Sequence, residues 1–190
     1  MQTMPEIVKE RDLYLSGSID ANAVNGVVKD IQKIVSADNA LKEWFRTELK
    51  QEYTPAPIRL FIDSSGGKVY HTLGLYDVIR NCQTPVHTIA LGLAASCAGV
   101  LLVAGHRRFA YPNSTILIHS VSVMLTGKSE ELKDDLEETL RINEIINGIF
   151  VTRTQITVQQ LHEKDLYKKD WWISAQEALD LGIVDEIIKC

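Results

Sequence analysis

Apolar residues occur along this chain in two patterns, continuous runs and a repeat of three to four positions. The runs at residues 58–63, 86–91 and 115–118 have the composition of buried strands. The repeat predicts an amphipathic helix over residues 20–35 and a longer one over residues 129–152. The chain is therefore predicted to build a sheet on which amphipathic helices lie.

Shorter signals fill the segments between these elements. Residues 13–15 predict a short strand that Gly17 closes, and residues 183–188 predict a last strand after a helix stop at Gly182. Residues 40–57 are charged and aromatic and include two late prolines. We interpret them as a surface helical excursion, because they are too few to form a core of their own.

A single hydroxyl group, that of Ser96, lies between two apolar runs. Residues 86–91 form the predicted strand, small residues follow, and residues 100–104 form a second apolar run after Ser96. This is the pattern of a nucleophile at a strand-to-helix turn, where small neighbours let the backbone turn sharply. Serine is also a common helix N-cap, so the catalytic interpretation needs partner residues.

The strand at residues 58–63 runs into Ser64-Ser65-Gly66-Gly67, and a helix carrying Val69, Leu73 and Tyr76 on one face follows. Two glycines between a strand and a helix let backbone N–H groups point at a phosphate or an oxyanion. The same pair also occurs in tight turns without chemistry. It does not form a P-loop, which needs a following Gly-Lys-Ser/Thr.

Two further residues can serve as partners of Ser96. His119 ends the predicted strand at residues 115–118, where its polar tip can enter a cleft, although a hydrogen-bonded core histidine is the alternative. Asp170 precedes Trp171 and Trp172, which we expect to be largely buried, so its carboxylate either caps an element or orients a histidine. Triads are defined by geometry and role, so the order Ser, His, Asp is admissible.

Composition narrows the classes of function. The chain has 190 residues, a formal net charge of −5 and no basic stripe, which argues against nucleic-acid binding. No apolar run is long enough for a membrane span, and no signal-peptide pattern begins the chain, so we expect a cytoplasmic protein without a membrane partner. Cys82, Cys97 and Cys190 lie far apart, which indicates neither a disulfide framework nor a zinc site.

Several motifs together resemble those of the proteolytic subunits of Clp proteases, the ClpP family. The resemblance spans about residues 8–188, and the motifs occur in the family's order. The motifs are Phe61-Ile62-Asp63-Ser64-Ser65-Gly66-Gly67, Gly74-Leu75-Tyr76-Asp77, Gly92-Leu93-Ala94-Ala95-Ser96, Pro112-Asn113-Ser114, Ile118-His119, Asp170-x-Trp172-Ile173-Ser174-Ala175-x-Glu177-Ala178, and Gly182-Ile183-Val184-Asp185.

The resemblance implies an α/β fold, the ββα superhelix that ClpP shares with crotonases, as one domain over residues 1–190. It implies a serine endopeptidase without metal or cofactor that hydrolyses peptides or unfolded proteins. Two stacked heptameric rings would enclose the proteolytic chamber, and residues 129–152 would form the protruding handle helix by which rings dock. A Clp ATPase is the implied partner, although the N-terminal segment that forms the family's axial loops is short here.

The resemblance also assigns roles within the site. Ser96 would be the nucleophile, His119 the general base and Asp170 the orienting acid. The backbone N–H groups of Gly67 and Cys97 would form the oxyanion hole. Water would then hydrolyse the acyl-enzyme.

The chain departs from the family pattern at several points. Ser65 replaces the usual proline of the glycine turn, and Cys97 replaces the usual methionine after the nucleophile. Ser120-Val121-Ser122-Val123 follows the histidine, where the family has Gln-Pro and a glycine-rich strand, and residues 40–57 resemble an insertion. These departures indicate a divergent member.

Three alternatives remain open from the sequence. A catalytically silent structural subunit is disfavoured because all three triad positions are filled. A crotonase-type acyl-CoA enzyme would be longer and would not need the triad. A phage-type head-maturation protease would use the same serine-protease chemistry in a different biological process.

Overall fold

The structure is a computed structural model that describes residues 3–121, 128–166 and 170–189. Within these ranges the chain forms seven strands and six α-helices. The strands are β1 Asp12–Ile19, β2 Ile58–Gly67, β3 Val86–Ala95, β4 Arg107–Ala110, β5 Thr115–Ile118, β6 Trp171–Ser174 and β7 Glu186–Ile187. The helices are α1 Ala21–Trp44, followed by a π-helical turn Phe45–Leu49, α2 Val69–Arg80, α3 Cys97–Ala104, α4 Ser129–Arg153, α5 Val158–Leu166 and α6 Ala175–Asp180.

The strands form one mixed sheet. Parallel pairing gives the order β1-β2-β3-β4-β7. The far end of β3 leaves β4 and pairs with β5, which in turn pairs antiparallel with β6. This arrangement confirms the α/β class and agrees with the expected ββα superhelix. It also brings the ends of β2, β3 and β5 to one side of the molecule.

Helix α3 lies at the centre of the core. All eight of its residues are buried, and the helix packs against α2, α4 and strands β2 and β3. The apolar side of α1 covers another part of the same core with Val24, Val27, Ile31 and Ile34. Burial of α3 on every side explains why residues 97–104 contain no charged side chain.

Helix α1 is longer than the sequence predicted. Asp20 caps it as expected, by accepting a hydrogen bond from the Ala23 N–H at 2.9 Å. The helix then passes the predicted end at residue 35, because Asp38 and Leu41 are fully buried on its inner face. The predicted excursion at 40–57 therefore starts as the last turns of α1, and the helical region ends at Lys50 with a φ of +56°.

Other boundaries also differ from the prediction. Strand β1 continues through Gly17, which has a φ of +77°, and the pairing with β2 shifts register there. In α2 the predicted face of Val69, Leu73 and Tyr76 is partly buried against the core, and Thr72, Leu75 and Ile79 are the fully buried side chains. The last strand is confined to β7.

The expected burial of the tryptophan pair was wrong. Trp172 is 57% exposed, and Trp171 is half-buried. In the antiparallel pair of β5 and β6, Trp172 lies opposite Leu117 and its side chain faces the solvent. The pair therefore does not seal Asp170 into the core.

The long helix predicted over residues 129–152 is confirmed as α4. Its second half is anchored in the core by Ile142, Ile149 and Phe150. Leu136 and Leu140, which the prediction placed on the apolar stripe, are 50% and 54% exposed. The sequence that follows His119 and departs from the family pattern is described only at Ser120 and Val121, because residues 122–127 lie outside the described residues. No helix in the described ranges has the length and apolar character needed to cross a membrane.

A buried ion pair joins α1 to the start of β1. The Arg11 guanidinium contacts both carboxylate oxygens of Asp38 and donates to the Ala56 carbonyl at 2.8 Å. The Thr84 hydroxyl donates to the same carboxylate at 2.7 Å. The pKa of Arg11 is raised, mainly by its hydrogen bond to Asp38. Four segments distant in sequence thus meet at one ion pair.

We expect Asp38→Asn to lower the free energy of unfolding by about 3 kcal/mol, because it leaves a buried guanidinium without its counter-charge. Asp30→Asn, at an exposed position on the same helix, is the matched control and should change stability by less than about 0.5 kcal/mol. Urea unfolding at one fixed protein concentration measures both. Equal midpoints for the two variants would contradict this account.

Candidate active site

Ser96 is the single residue between β3 and α3. Its backbone has a φ of +57° and a ψ of −123°, a strained conformation for a residue other than glycine. The Ser96 N–H donates to the Leu117 carbonyl of β5 at 2.8 Å, which holds this conformation. The side chain accepts no hydrogen bond from the first turn of α3, so the N-cap alternative does not apply and the hydroxyl group is available.

The glycine turn at the end of β2 packs directly on Ser96. A Cβ atom built on Gly66, whose φ is +99°, would lie 2.9 Å from the Ser96 Cβ and 2.8 Å from the Ala95 carbonyl oxygen. A Cβ on Gly67 would lie 2.3 Å from the Ile19 carbonyl oxygen. Close packing therefore requires glycine at both positions, since any side chain there would clash with neighbouring backbone atoms.

The Ser64 side chain holds this turn in place, a role that was not predicted from the sequence. Its buried hydroxyl donates to the Gly17 carbonyl and accepts a hydrogen bond from the Gly66 N–H at 3.0 Å. The turn is thereby tied to the bulge in β1. A hydroxyl residue two positions before a glycine is a recognised turn signal that could have indicated this role.

The Cys97 N–H lies next to the Ser96 hydroxyl group. Cys97 begins α3, so this N–H has no acceptor within the helix and lies at the positive end of the helix dipole. The Cys97 thiol is buried and donates to the Gly67 carbonyl at 3.4 Å. Cys97 thus links the two segments from which N–H groups were expected to form an oxyanion hole.

His119 follows β5 and lines the same cavity as Ser96. Its Nδ1 atom lies 2.6 Å from the Ser120 carbonyl oxygen, and since a carbonyl only accepts, Nδ1 carries the proton in this contact. A neutral imidazole with Nδ1–H leaves a lone pair on Nε2, the form that a general base requires. Both residues are described, and no hydrogen bond joins His119 to Ser96.

Asp170 immediately precedes β6. In the antiparallel pair of β5 and β6, Ile118 lies opposite Trp171, so His119 and Asp170 occupy the next facing positions along the two strands. Asp170 is exposed, and within the described part of the chain no hydrogen bond or ion pair joins it to His119. The fold brings backbone positions of all three predicted residues close together without joining their side chains in a chain of hydrogen bonds.

A cavity of about 560 Å³ opens beside Ser96 and His119. Most of its lining residues are apolar, and Lys68, Tyr70, Ser96 and His119 contribute polar side chains. Asn143 of α4 accepts a hydrogen bond from the Val121 N–H at 2.9 Å, which anchors the segment after His119 against the cavity. The described residues that line the cavity are Gly67, Lys68, Val69, Tyr70, Ser96, Cys97, Val100, Ile118, His119, Val121, Ile146 and Phe150.

The described residues contain no cluster of three or more histidine, cysteine or acidic side chains arranged to hold a metal ion. Cys82 and Cys97 are free thiols, and Cys190 lies outside the described residues. Burial, the largest influence, raises the pKa of the Cys82 thiol.

Comparison with known proteins gives one consistent result. The sequence profile described as Clp protease matches residues 1–190. The ATP-dependent Clp protease proteolytic subunit of Deinococcus radiodurans is 29% identical over 184 residues, which cover 96% of this chain and 82% of that protein.

We expect Gly66→Ala to lower the free energy of unfolding by about 2 kcal/mol, because the new Cβ atom meets backbone and the Ser96 side chain at a positive φ. Gly26→Ala in α1 is the matched control, since a Cβ atom there meets nothing within 4 Å. The control should raise stability by about 0.5 to 1 kcal/mol through helix propensity. Thermal unfolding of both variants tests the pair, and a Gly66 variant as stable as the control would refute the close packing.

Proposed function

The chain belongs to the Clp protease family, and we propose that it is a serine endopeptidase with Ser96 as nucleophile. The observation that carries this proposal is the strained conformation of Ser96, which presents an uncapped hydroxyl group to a cavity that His119 also lines. A strained backbone is retained at a residue when the surrounding packing fixes it, and such residues concentrate at functional sites.

In the proposed mechanism the Ser96 Oγ attacks a peptide carbonyl while His119 Nε2 accepts its proton. The same imidazolium then protonates the leaving amine, and the acyl-enzyme remains. Water enters, loses a proton to Nε2 and attacks the ester carbonyl; the bond to Ser96 Oγ then breaks, the imidazolium returns the proton to Oγ, and the carboxylic acid product leaves. The Nδ1–H tautomer supports this role of Nε2.

The negative charge on the tetrahedral intermediate is proposed to lie between the Gly67 and Cys97 N–H groups. The position of the Cys97 N–H at the start of α3 supports this placement, because it has no acceptor within the helix and the helix dipole favours an anion there. The rigid packing of Gly67 against Ile19 supports it as well, since an oxyanion hole must be fixed before the reaction begins.

Asp170 is proposed to orient His119 during the reaction. This requires His119 Nδ1–H to exchange its acceptor, from the Ser120 carbonyl to the Asp170 carboxylate. Their facing positions at the ends of β5 and β6 support the exchange, because side chains at facing positions of paired strands are neighbours. A catalytically silent subunit is the second candidate, and the lack of a hydrogen bond between these two residues favours it.

The biological assembly proposed for this chain is a homo-oligomer, with heptameric rings stacked around a chamber that admits peptides or unfolded proteins. The exposed Leu136 and Leu140 on α4 support a contact between copies there, since monomers seldom expose several large apolar side chains on one helix. An ATPase partner is proposed to deliver folded substrates, and the relative's name includes the words ATP-dependent.

We expect Ser96→Ala to reduce kcat for peptide hydrolysis by about 10⁶-fold, because no other group replaces the attacking oxygen. A fluorophosphonate should add once to the wild type, at Ser96 by peptide mapping, and not to the variant. Matching circular dichroism spectra and sedimentation profiles control for folding and assembly. Undiminished hydrolysis by the variant, or no adduct on the wild type, would refute the proposal.

We expect Asp170→Asn to reduce kcat by roughly 10⁴-fold, because the amide cannot stabilise the imidazolium or select its tautomer. Asp180→Asn, at an exposed position on α6, is the matched control and should leave kcat unchanged. Steady-state kinetics with one peptide measures both. If Asp170→Asn behaves like the control, Asp170 does not orient His119.

A further inference from the structure

Lys68 lies at the mouth of the cavity beside Ser96. It directly follows Gly67, and its own backbone is fixed on both sides. Its N–H donates to the Ile19 carbonyl at 2.7 Å, and its carbonyl accepts from the Thr72 N–H at 3.1 Å and the Thr72 hydroxyl at 3.0 Å. The ammonium group therefore extends from a rigid backbone next to the reacting centre.

The charge of Lys68 is not compensated within the cavity. Among the described residues that line it, Lys68 alone carries a full charge at neutral pH, and no carboxylate is present. The described part of the chain contains no ion pair or side-chain hydrogen bond of Lys68. Lys68 itself is exposed, but Val100, Ile146 and Phe150 line the same cavity, so a side chain that fills the cavity would displace water from one side of this charge.

The carboxylate of Glu138 on α4 reaches this region but is already engaged. It accepts hydrogen bonds from the Tyr70 hydroxyl at 2.7 Å and from the Arg141 guanidinium at 2.6 and 2.7 Å. Chiefly the hydrogen bond from Arg141, and then that from Tyr70, lower the pKa of Glu138 to about 2. Glu138 is thus neutralised by Arg141 and does not serve as the partner of Lys68.

We propose that Lys68 makes the site select substrates with a negatively charged side chain at the residue that supplies the scissile carbonyl. This inference rests on the proposed function, because the carbonyl of that residue must lie at Ser96. Its side chain then enters the adjoining cavity. A glutamate side chain fits both features, since its methylene groups contact the apolar walls and its carboxylate meets Lys68. A substrate lysine would place its ammonium group beside that of Lys68 at the cavity, where the two like charges repel.

The test uses four internally quenched peptides that differ only at this residue, which is Glu, Gln, Leu or Lys. Their ends are acetylated and amidated so that no terminal charge interferes, and mass spectrometry locates the cleaved bond. Because Glu and Gln have the same shape, the ratio of their kcat/KM values reports charge selection alone. For the wild type we expect this ratio to be about two to five, the upper part of the range for an exposed ion pair.

For the variants Lys68→Met and Lys68→Glu, kcat/KM values are compared between peptides within each variant, so that any general loss of activity cancels. We expect Lys68→Met to bring the Glu to Gln ratio close to one, and Lys68→Glu to make the Lys peptide better than the Glu peptide. Lys29→Glu, which makes the same charge change at an exposed position on α1, should keep the wild-type ratio. High salt should lower the wild-type ratio through screening.

The outcomes separate this inference from the function on which it rests. If the wild type cleaves none of the four peptides and takes no fluorophosphonate label, the proposed function fails and the inference fails with it. If the wild type cleaves the peptides with a Glu to Gln ratio near one, charge selection alone is refuted. The same conclusion follows if both Lys68 variants keep a high ratio.

Discussion

The complete burial of α3 is the constraint on which the rest of this structure depends. A buried helix must satisfy the carbonyl groups of its last turn without water, and here side chains do so. The Thr88 hydroxyl donates to the Leu102 carbonyl at 2.6 Å, Arg153 donates to the Val103 and Gly105 carbonyls at 3.1 and 3.0 Å, and Arg80 donates to the Ala104 carbonyl at 3.2 Å. Burial first, and then the charges of Arg80 and Arg108, lower the pKa of Arg153, because three guanidinium groups lie near one another at this end of α3.

Because α3 is fixed in this way, its connection to β3 has no freedom to relax. One residue must turn the chain from a strand into a helix, and Ser96 does so at a φ of +57°. Gly66 leaves the space that this turn needs, and the Ser64 hydroxyl holds Gly66 in place at 3.0 Å. The orientation of Ser96 is therefore determined by packing and backbone hydrogen bonds, and it needs no help from the other members of the proposed triad.

Features that neighbouring residues determine could be predicted from the sequence, whereas features that depend on contacts between residues far apart in the chain could not. The strand before Ser96 and the helix α4 follow from local apolar patterns, and both predictions are confirmed. The end of α1 could not be predicted, because Asp38 continues the helix through an ion pair with Arg11, 27 residues away. The exposure of Trp172 depends on which side of β6 faces the solvent, and that is decided by pairing with β5. Local sequence predicted Ser96 and His119 as site residues, and both line one cavity, whereas the hydrogen bond between His119 and Ser120 could not be predicted from it.

The orientation of His119 is controlled separately from that of Ser96. Its Nδ1–H has two possible acceptors, the Ser120 carbonyl that it contacts now and the Asp170 carboxylate at the facing strand position. A hydrogen bond to a carboxylate is the stronger of the two where water is excluded, but an exposed carboxylate is already solvated and gains little from the imidazole. The balance therefore depends on how much water reaches Asp170. Under the proposed mechanism, a bound peptide that covers the ends of β5 and β6 would shift His119 toward Asp170 and leave Ser96 where the core holds it.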